Sequence, residues 1–373
     1  MTVQAPITGT GQLTKTQAGT VSLANALTQN PTFNAYRYSG GRSIAEGTVI
    51  SLEGGGTPIG TGTLQMVGST LSLQPIATGA PVSLSLANGL GDRFNFGPGS
   101  ILELNRGSNT SLSVSIGGAT NLPNLVSAAN GTLVIKPSDG VSGLGTTTIV
   151  KVNGAGPNLP PVTNTIVSPR MVVVNTNSAG QFLTYRPVAN GVGVASYTSG
   201  NLVSAGANAV YAALTSQTLN TNATVYALKL ENVGIQGLNG TQTLTIGRGA
   251  ANEASGIIFN GGSITNLKLA FGAAQAAIFA SQAGGTIGAG ISGTAGLLKF
   301  GPGNLNLSGR NSYSGATVVA SGKLTHQQWI KFRNRECQCV QRSNSHWQRR
   351  YFWESHTEQR SNSQWCRHYF WQC

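Results

Sequence analysis

The chain has 373 residues, 51 of them glycine, and 23 Lys and Arg against 10 Asp and Glu give a formal net charge of +13. The imbalance reflects scarce acids more than abundant bases, and the basic side chains up to Lys323 are dispersed without a run. Nucleic-acid binding needs a clustered cationic face that displaces counterions, so nucleic acid is not an expected partner.

Two compositions are joined near Leu324. All 51 glycines lie before that point, the last being Gly322, whereas all five Trp, four His and four Cys lie after it. A body without Cys or His has neither disulfides nor thiolate or imidazole metal ligands. It also has no Ser-His-Asp or Cys-His nucleophile system. The start, MTVQAPITGTGQ, carries no basic segment and no apolar core, so no export signal is visible. If the protein is exported, the chain is expected to be a fragment that lost its address. The most apolar stretch, Leu267 to Ala280, is broken by Lys268, Gly272 and Gln275 and is too short to span a bilayer.

In chain order, period-two alternation marks strands at Thr20 to Leu23, Val82 to Leu86, Leu112 to Ile116 and Thr241 to Ile246. Gly, Asn and Pro punctuate these runs, as in all-β chains. Gly60-Thr61-Gly62 and Gly97-Pro98-Gly99 open no helix and carry no phosphate-loop lysine, so they read as corners. Gly89-Leu90-Gly91-Asp92 has the look of a calcium turn but occurs once, without the repeat such a site requires. The Ala-rich segment Ala207 to Ser216 is expected to form a helical turn or two; no long amphipathic helix is expected.

Internal repetition decides the architecture. Superposing Gly19 on Gly303 aligns Leu13 with Leu297, Lys15 with Lys299, Val21 with Leu305 and Leu23 with Leu307. Further on, Tyr38-Ser39-Gly40 matches Tyr313-Ser314-Gly315, Ile44-Ala45 matches Val319-Ala320, and Gly47 matches Gly322. The first copy carries nine extra residues between its halves. Phe96-Gly97-Pro98-Gly99 echoes Phe300-Gly301-Pro302-Gly303.

LLKFGPGNLNLSGRNSYSGATVVASGKL resembles the autotransporter-associated β-strand repeat, and residues 11–49 resemble a second, stretched copy. The resemblance implies a right-handed parallel β-helix in an exported bacterial surface protein of passenger or adhesin type. It implies an extracellular or cell-surface location and partners among surface glycans or host and matrix proteins. A repeat too small to bury its own apolar face must stack on neighbours. At roughly 20 residues per rung the body would make about 16 rungs, ~75 Å long. A β-sandwich built from the same alternation is the other reading of the strands. The expected divisions are N-terminal repeats over 1–75, a degenerate region over 76–205, C-terminal repeats over 206–324 and a tail over 325–373. Open solenoid ends are expected to self-associate.

The tail repeats itself at a spacing of 18: Gln341 to Ser355 superposes on Gln359 to Cys373 with ten of fifteen positions identical. Tryptophan has a single codon, TGG, and read one nucleotide later it always becomes a glycine codon. All five Trp would then be Gly in a segment that otherwise has none. Residues 325–373 therefore read as a frame-shifted, disordered continuation of the repeats. Cys337-Gln338-Cys339 with His346, His356 and Cys366 departs from zinc-knuckle spacing. Arg349 to Trp353 has the composition of a base-stacking platform, which an accidental frame explains equally.

Polysaccharide-cleaving β-helices need carboxylates in pairs or clusters. The body's acids are Glu46, Glu53, Asp92, Glu103, Asp139, Glu231 and Glu253, and none lies within four residues of another. No catalytic, cofactor or metal residue is assigned, and no cofactor is expected. The expected function is a non-catalytic structural or adhesive stalk; a carbohydrate-active lyase or hydrolase fragment and a passive fragment are the rivals.

Overall fold

In the computed structural model, residues 1–3, 7, 9–24, 39–118, 123–153, 160–186, 191–248, 254–326 and 337–339 are described. They divide into two compact units, Met1–Ala195 and Ser196 onward. Both are strand-dominated and almost free of helix. The helices among the described residues are a single turn at Gly140–Gly143 and a 3-10 turn at Leu202–Ser204.

Each unit is a solenoid-like coil in which the chain visits three parallel faces in turn. In the first unit, one face holds Leu13–Lys15, Arg42–Ile44, Leu64–Met66, Phe94–Phe96 and Leu125–Ser127. The second face holds Thr2–Val3, Thr20–Leu23, Gly47–Ser51, Ser69–Leu73, Ser100–Leu104, Leu133–Pro137 and Met171–Val174. The third holds Pro81–Leu86, Ser111–Ile116, Thr148–Val152 and Gly191–Val194. The stacking is in register: Leu112 sits beside Val82, Val114 beside Leu84 and Ile116 beside Leu86. The alternating serines therefore all face outward while the aliphatics enter one core. On the second face, Val49, Leu71, Leu102, Ile135 and Val173 form a buried column through five rungs. Each such fully buried aliphatic contributes about 1.5–3 kcal/mol.

The parallel stack of the first unit ends in a hairpin. Gly180–Arg186 runs antiparallel to Met171–Val174 on one side and to Gly191–Val194 on the other, tying the second face to the third. Tyr185 anchors it from within the core, donating its hydroxyl to the Val152 carbonyl at 2.8 Å. Its hydroxyl in turn accepts from the Val152 amide at 3.1 Å. Burial pushes the Tyr185 hydroxyl above its ordinary range.

In the second unit, the first face holds Val210–Ala213, Ala227–Glu231, Ala254–Asn260, Gln275–Ala280, Leu297–Phe300, Thr317–Val319 and Cys337–Cys339. The second holds Gln217–Leu219, Gly234–Gly237, Ser263–Thr265, Gly285–Ile287, Asn304–Leu307 and Lys323–His326. The third holds Ala223–Val225, Thr243–Ile246, Lys268–Ala270 and Gly290–Ser292. The expected helical turns at Ala207 to Ser216 are corrected: Val210–Ala213 is a strand in register with Ala227 to Leu230. Alanine's helix propensity is worth only tenths of a kcal/mol per residue, and a fully buried parallel neighbour overrides it.

The first face of this unit is covered on both sides. Ile257, Ile278 and Leu297 fill the core, and Ile258, Phe279, Leu298 and Phe300, which alternate with them, are buried as well. Two-sided burial explains the continuous apolar runs here, unlike the serine alternation of the first unit.

Rung length departs from the uniform value expected. Ala277 pairs with Leu298 and Leu298 with Val318, spacings of 21 and 20 residues. In the first unit Arg42 pairs with Leu64, 22 residues on, but Leu64 pairs with Phe94 and Leu133 with Met171, 30 and 38 residues on. The surplus sits at particular corners. Between the first and second faces the connection is always short: two residues separate Ile44 from Gly47 and three separate Phe300 from Asn304. In the first unit the connection between second and third faces lengthens, with ten residues from Pro137 to Thr148.

Glycines line the short corners and the corners between third and first faces. A Cβ on Gly62 would lie 2.3 Å from the Gly40 carbonyl oxygen, and one on Gly118 would lie 2.5 Å from that of Gly89. Successive rungs therefore approach there more closely than any side chain allows.

The strand Lys323–His326 runs across the compositional junction at Leu324 and pairs with Asn304 to Leu307. Cys337–Cys339 pairs in parallel with Thr317 to Val319 at a spacing of 20. The rest of the frame-shift reading, residues 327–336 and 340–373, lies outside the described residues.

Candidate functional site

Six of the seven body acids are described; Glu253 lies outside the described residues. Asp92 accepts from the Thr63 hydroxyl at 2.8 Å, and its amide closes the Gly89 turn at 3.1 Å. Glu103 pairs with Lys136 on the next rung at 2.9 Å, its cross-strand neighbour on the outer side of the second face. Asp139 accepts from the Thr147 and Thr148 hydroxyls and pairs with Arg106 at 3.4 Å. Glu231 pairs with Lys229 at 2.8 Å. These four acids draw on different partners. Glu46 and Glu53 are buried, and burial pushes the Glu53 carboxyl above the usual carboxylate range. One of its oxygens has no hydrogen-bond partner.

Two lysines occupy a site that recurs. In the second unit Leu228, Ile257, Ile278, Lys299 and Val319 are successive members of one inward column. Lys299 thus stands where an aliphatic residue is expected, and it is fully buried. Its ammonium turns to the short corner and donates to the carbonyls of Gly301 at 2.7 Å, Gly303 at 2.6 Å and Ser321 at 2.8 Å. The first two belong to its own rung and the third to the next. Burial pushes the Lys299 ammonium down to about 7, while three acceptors on the charged form work against that push. In the first unit Lys15 donates to the Gln17 carbonyl at 2.5 Å and to that of Glu46, one rung on, at 3.1 Å. Gln17 and Glu46 are the positions that the alignment of the two repeats matches to Gly301 and Ser321. The superposition of Leu13 to Gly47 on Leu297 to Gly322 is thus a superposition of hydrogen bonds as well as of letters.

A third polar cluster faces outward from the second unit. Lys229 and Glu231 are two apart on one strand and flank Leu230, which fills the core, so both project to the other side. Register sets Asn260 opposite Glu231. The Asn260 amide donates to both Glu231 oxygens at 3.2 Å, and the Tyr197 ring lies 4.3 Å from the Lys229 ammonium. Lys229 and Asn260 are buried. Sequence reasoning placed Glu231 among the scattered acids and gave no link to Asn260, which is 29 residues away.

Among the described residues no group of three or more His, Cys, Asp or Glu is placed to hold a metal ion. Cys337 to Cys339 is a strand, and His346, His356 and Cys366 lie outside the described residues. No helix among the described residues is long and apolar enough to cross a membrane. No family model, curated protein or solved structure matches the chain.

Proposed function

We propose that the chain is a non-catalytic structural or adhesive stalk of an exported bacterial surface protein, coiled as a right-handed parallel β-helix. The observation that carries this reading is the recurrence of the lysine corner. The same backbone acceptors are met by Lys15 and Lys299 at the positions where the two copies of the autotransporter-type repeat align. A unit whose repeated feature is a tie between rungs is built to be stacked. The outward serine rows of Pro81–Leu86 and Ser111–Ile116 offer hydroxyls to surface glycans or matrix proteins. The rival reading, a polysaccharide lyase or hydrolase, requires two carboxylates working together.

The test uses the full chain against a panel of acidic and neutral polysaccharides, scored for new reducing ends and for unsaturated products. The stalk reading expects no turnover, together with protease accessibility of the protein on intact producing cells. Cleavage that disappears in Glu103→Gln or Asp139→Asn overturns it.

A further inference from the structure

The cluster on the outer side of the second unit has a composition that stacking does not require. From it we propose that Lys229 and Asn260 become joined by an intramolecular isopeptide bond, with Glu231 as the proton carrier.

The geometry assembles the three partners from two neighbouring rungs. Glu231 Oε1 receives the Lys229 ammonium at 2.8 Å and the Asn260 amide nitrogen at 3.2 Å. The nucleophile and the leaving group thus touch one oxygen atom. Lys229 is 6% exposed and Asn260 is 4% exposed. The Tyr197 ring, 4.3 Å from the ammonium, forms part of the cover. Glu231 itself is 29% exposed, so the nucleophile and its target are shielded while the proton carrier keeps an edge in solvent, and the groups are held on a parallel sheet without a flexible approach.

The chemistry balances within the triad. Glu231 takes a proton from the Lys229 ammonium and frees the lone pair of Nζ. Nζ attacks Cγ of Asn260, forming the new C–N bond and a tetrahedral centre. Glu231 then passes its proton to Nδ2, the Cγ–Nδ2 bond breaks and ammonia departs. Of the two protons still on Nζ, one leaves with the ammonia as ammonium and the other stays as the N–H of the new amide, and Glu231 is again a carboxylate. No atom changes oxidation state and no co-reactant is needed. The carboxylate touches both nitrogens, so it is a catalytic residue for this one turnover.

The product is a covalent tie between adjacent rungs, Ala227–Glu231 and Ala254–Asn260, in a body that has no cysteine and so no disulfide. It closes the loop between residues 229 and 260, which includes the strands Gly234–Gly237 and Thr243–Ile246.

Intact-mass measurement of the full chain tests the proposal. The purified, folded protein is expected to be lighter than its sequence mass by one ammonia, and tryptic digestion to yield a branched peptide joining Lys229 to Asn260 with no cleavage after Lys229. Glu231→Gln keeps the strand signal and returns to sequence mass. Asn260→Asp, which retains a carbonyl carbon for attack, loses water in place of ammonia. Lys229→Met loses neither, and if Glu231→Gln does not fold, the Asn260→Asp and Lys229→Met pair decides. A full chain at its sequence mass with free cleavage after Lys229 overturns the proposal. A loss of ammonia that persists in both Lys229→Met and Glu231→Gln overturns it equally, since the loss would then arise elsewhere.

Discussion

The two units use one corner chemistry in two settings. In the first, Lys15 lies in a strand whose first residue, Leu13, is 38% exposed, and is itself only partly buried. In the second, Lys299 is sealed into an aliphatic column and surrounded by three carbonyls. The same letters therefore mark an end-of-stack contact in one place and a buried polar node in the other. A buried charge is costly when any partner is lost, whereas a solvated one is nearly neutral. Repeat sequence fixes the contacts, and depth in the stack fixes their weight.

The sharpest way to break this comparison is to remove both ammonium groups. Lys299→Met strands three buried carbonyls and is expected to destabilise the second unit by about 3 kcal/mol. Lys15→Met is expected to cost under ~1 kcal/mol. Hydrogen exchange of peptides covering 297–319 and 13–44 reads the two losses separately; equal losses would show that depth does not matter. The pH dependence sharpens the contrast. Burial holds Lys299 near 7 against an ordinary 10.5, so the unfolded chain binds the proton more tightly across that window. The second unit should gain stability as pH rises from 7 to 10.5, and Lys299→Met should lose that gain.

A smaller effect tests what the units share. Gly47 and Gly322 have φ of +73° and +72°, and an added Cβ would lie 2.4 Å from the Gly19 oxygen and 2.3 Å from the Gly301 oxygen. Alanine at either site is expected to cost about 2–3 kcal/mol, the same in both units. Gly79→Ala, with φ +73° but open space around it, should cost only about 1 kcal/mol. Thermal melts of the three variants give the order.

The smallest effect belongs to the first unit alone. Glu53 is buried with an unpartnered oxygen, and burial raises its pKa above 4.5. The folded state favours the protonated form, so this residue costs stability as pH rises through its raised pKa. Glu53→Gln should therefore stabilise the protein by ~1 kcal/mol at pH 7 and leave it unchanged below pH 4.5, as scored by denaturant midpoints.

Much of this architecture is legible in the letters. Val82 to Leu86 and Leu112 to Ile116 show their strands by alternation, and Lys15 and Lys299 show their equivalence by spacing. Rung length is legible only where the repeat is short, because the ten residues between Pro137 and Thr148 obey no period. Val210–Ala213 was hidden because alanine writes helix and strand alike when both faces are buried. The Lys229, Glu231 and Asn260 cluster was illegible for a different reason: no pattern connects residues 229 and 260 until register places Asn260 opposite Glu231.

The tight corner between first and second faces also governs how such a chain can grow. Its connections hold to two to five residues in both units, while those at the other corners range more widely. Inserted segments are therefore admitted where the connections vary in length and refused at the corner between first and second faces, where they do not. Duplication can lengthen the stack and insertion can decorate it without a shift in strand register, since one edge keeps count for the others. A binding loop grafted at Ser138 to Thr147 inherits that tolerance, and one grafted at Ala45 or Pro302 does not.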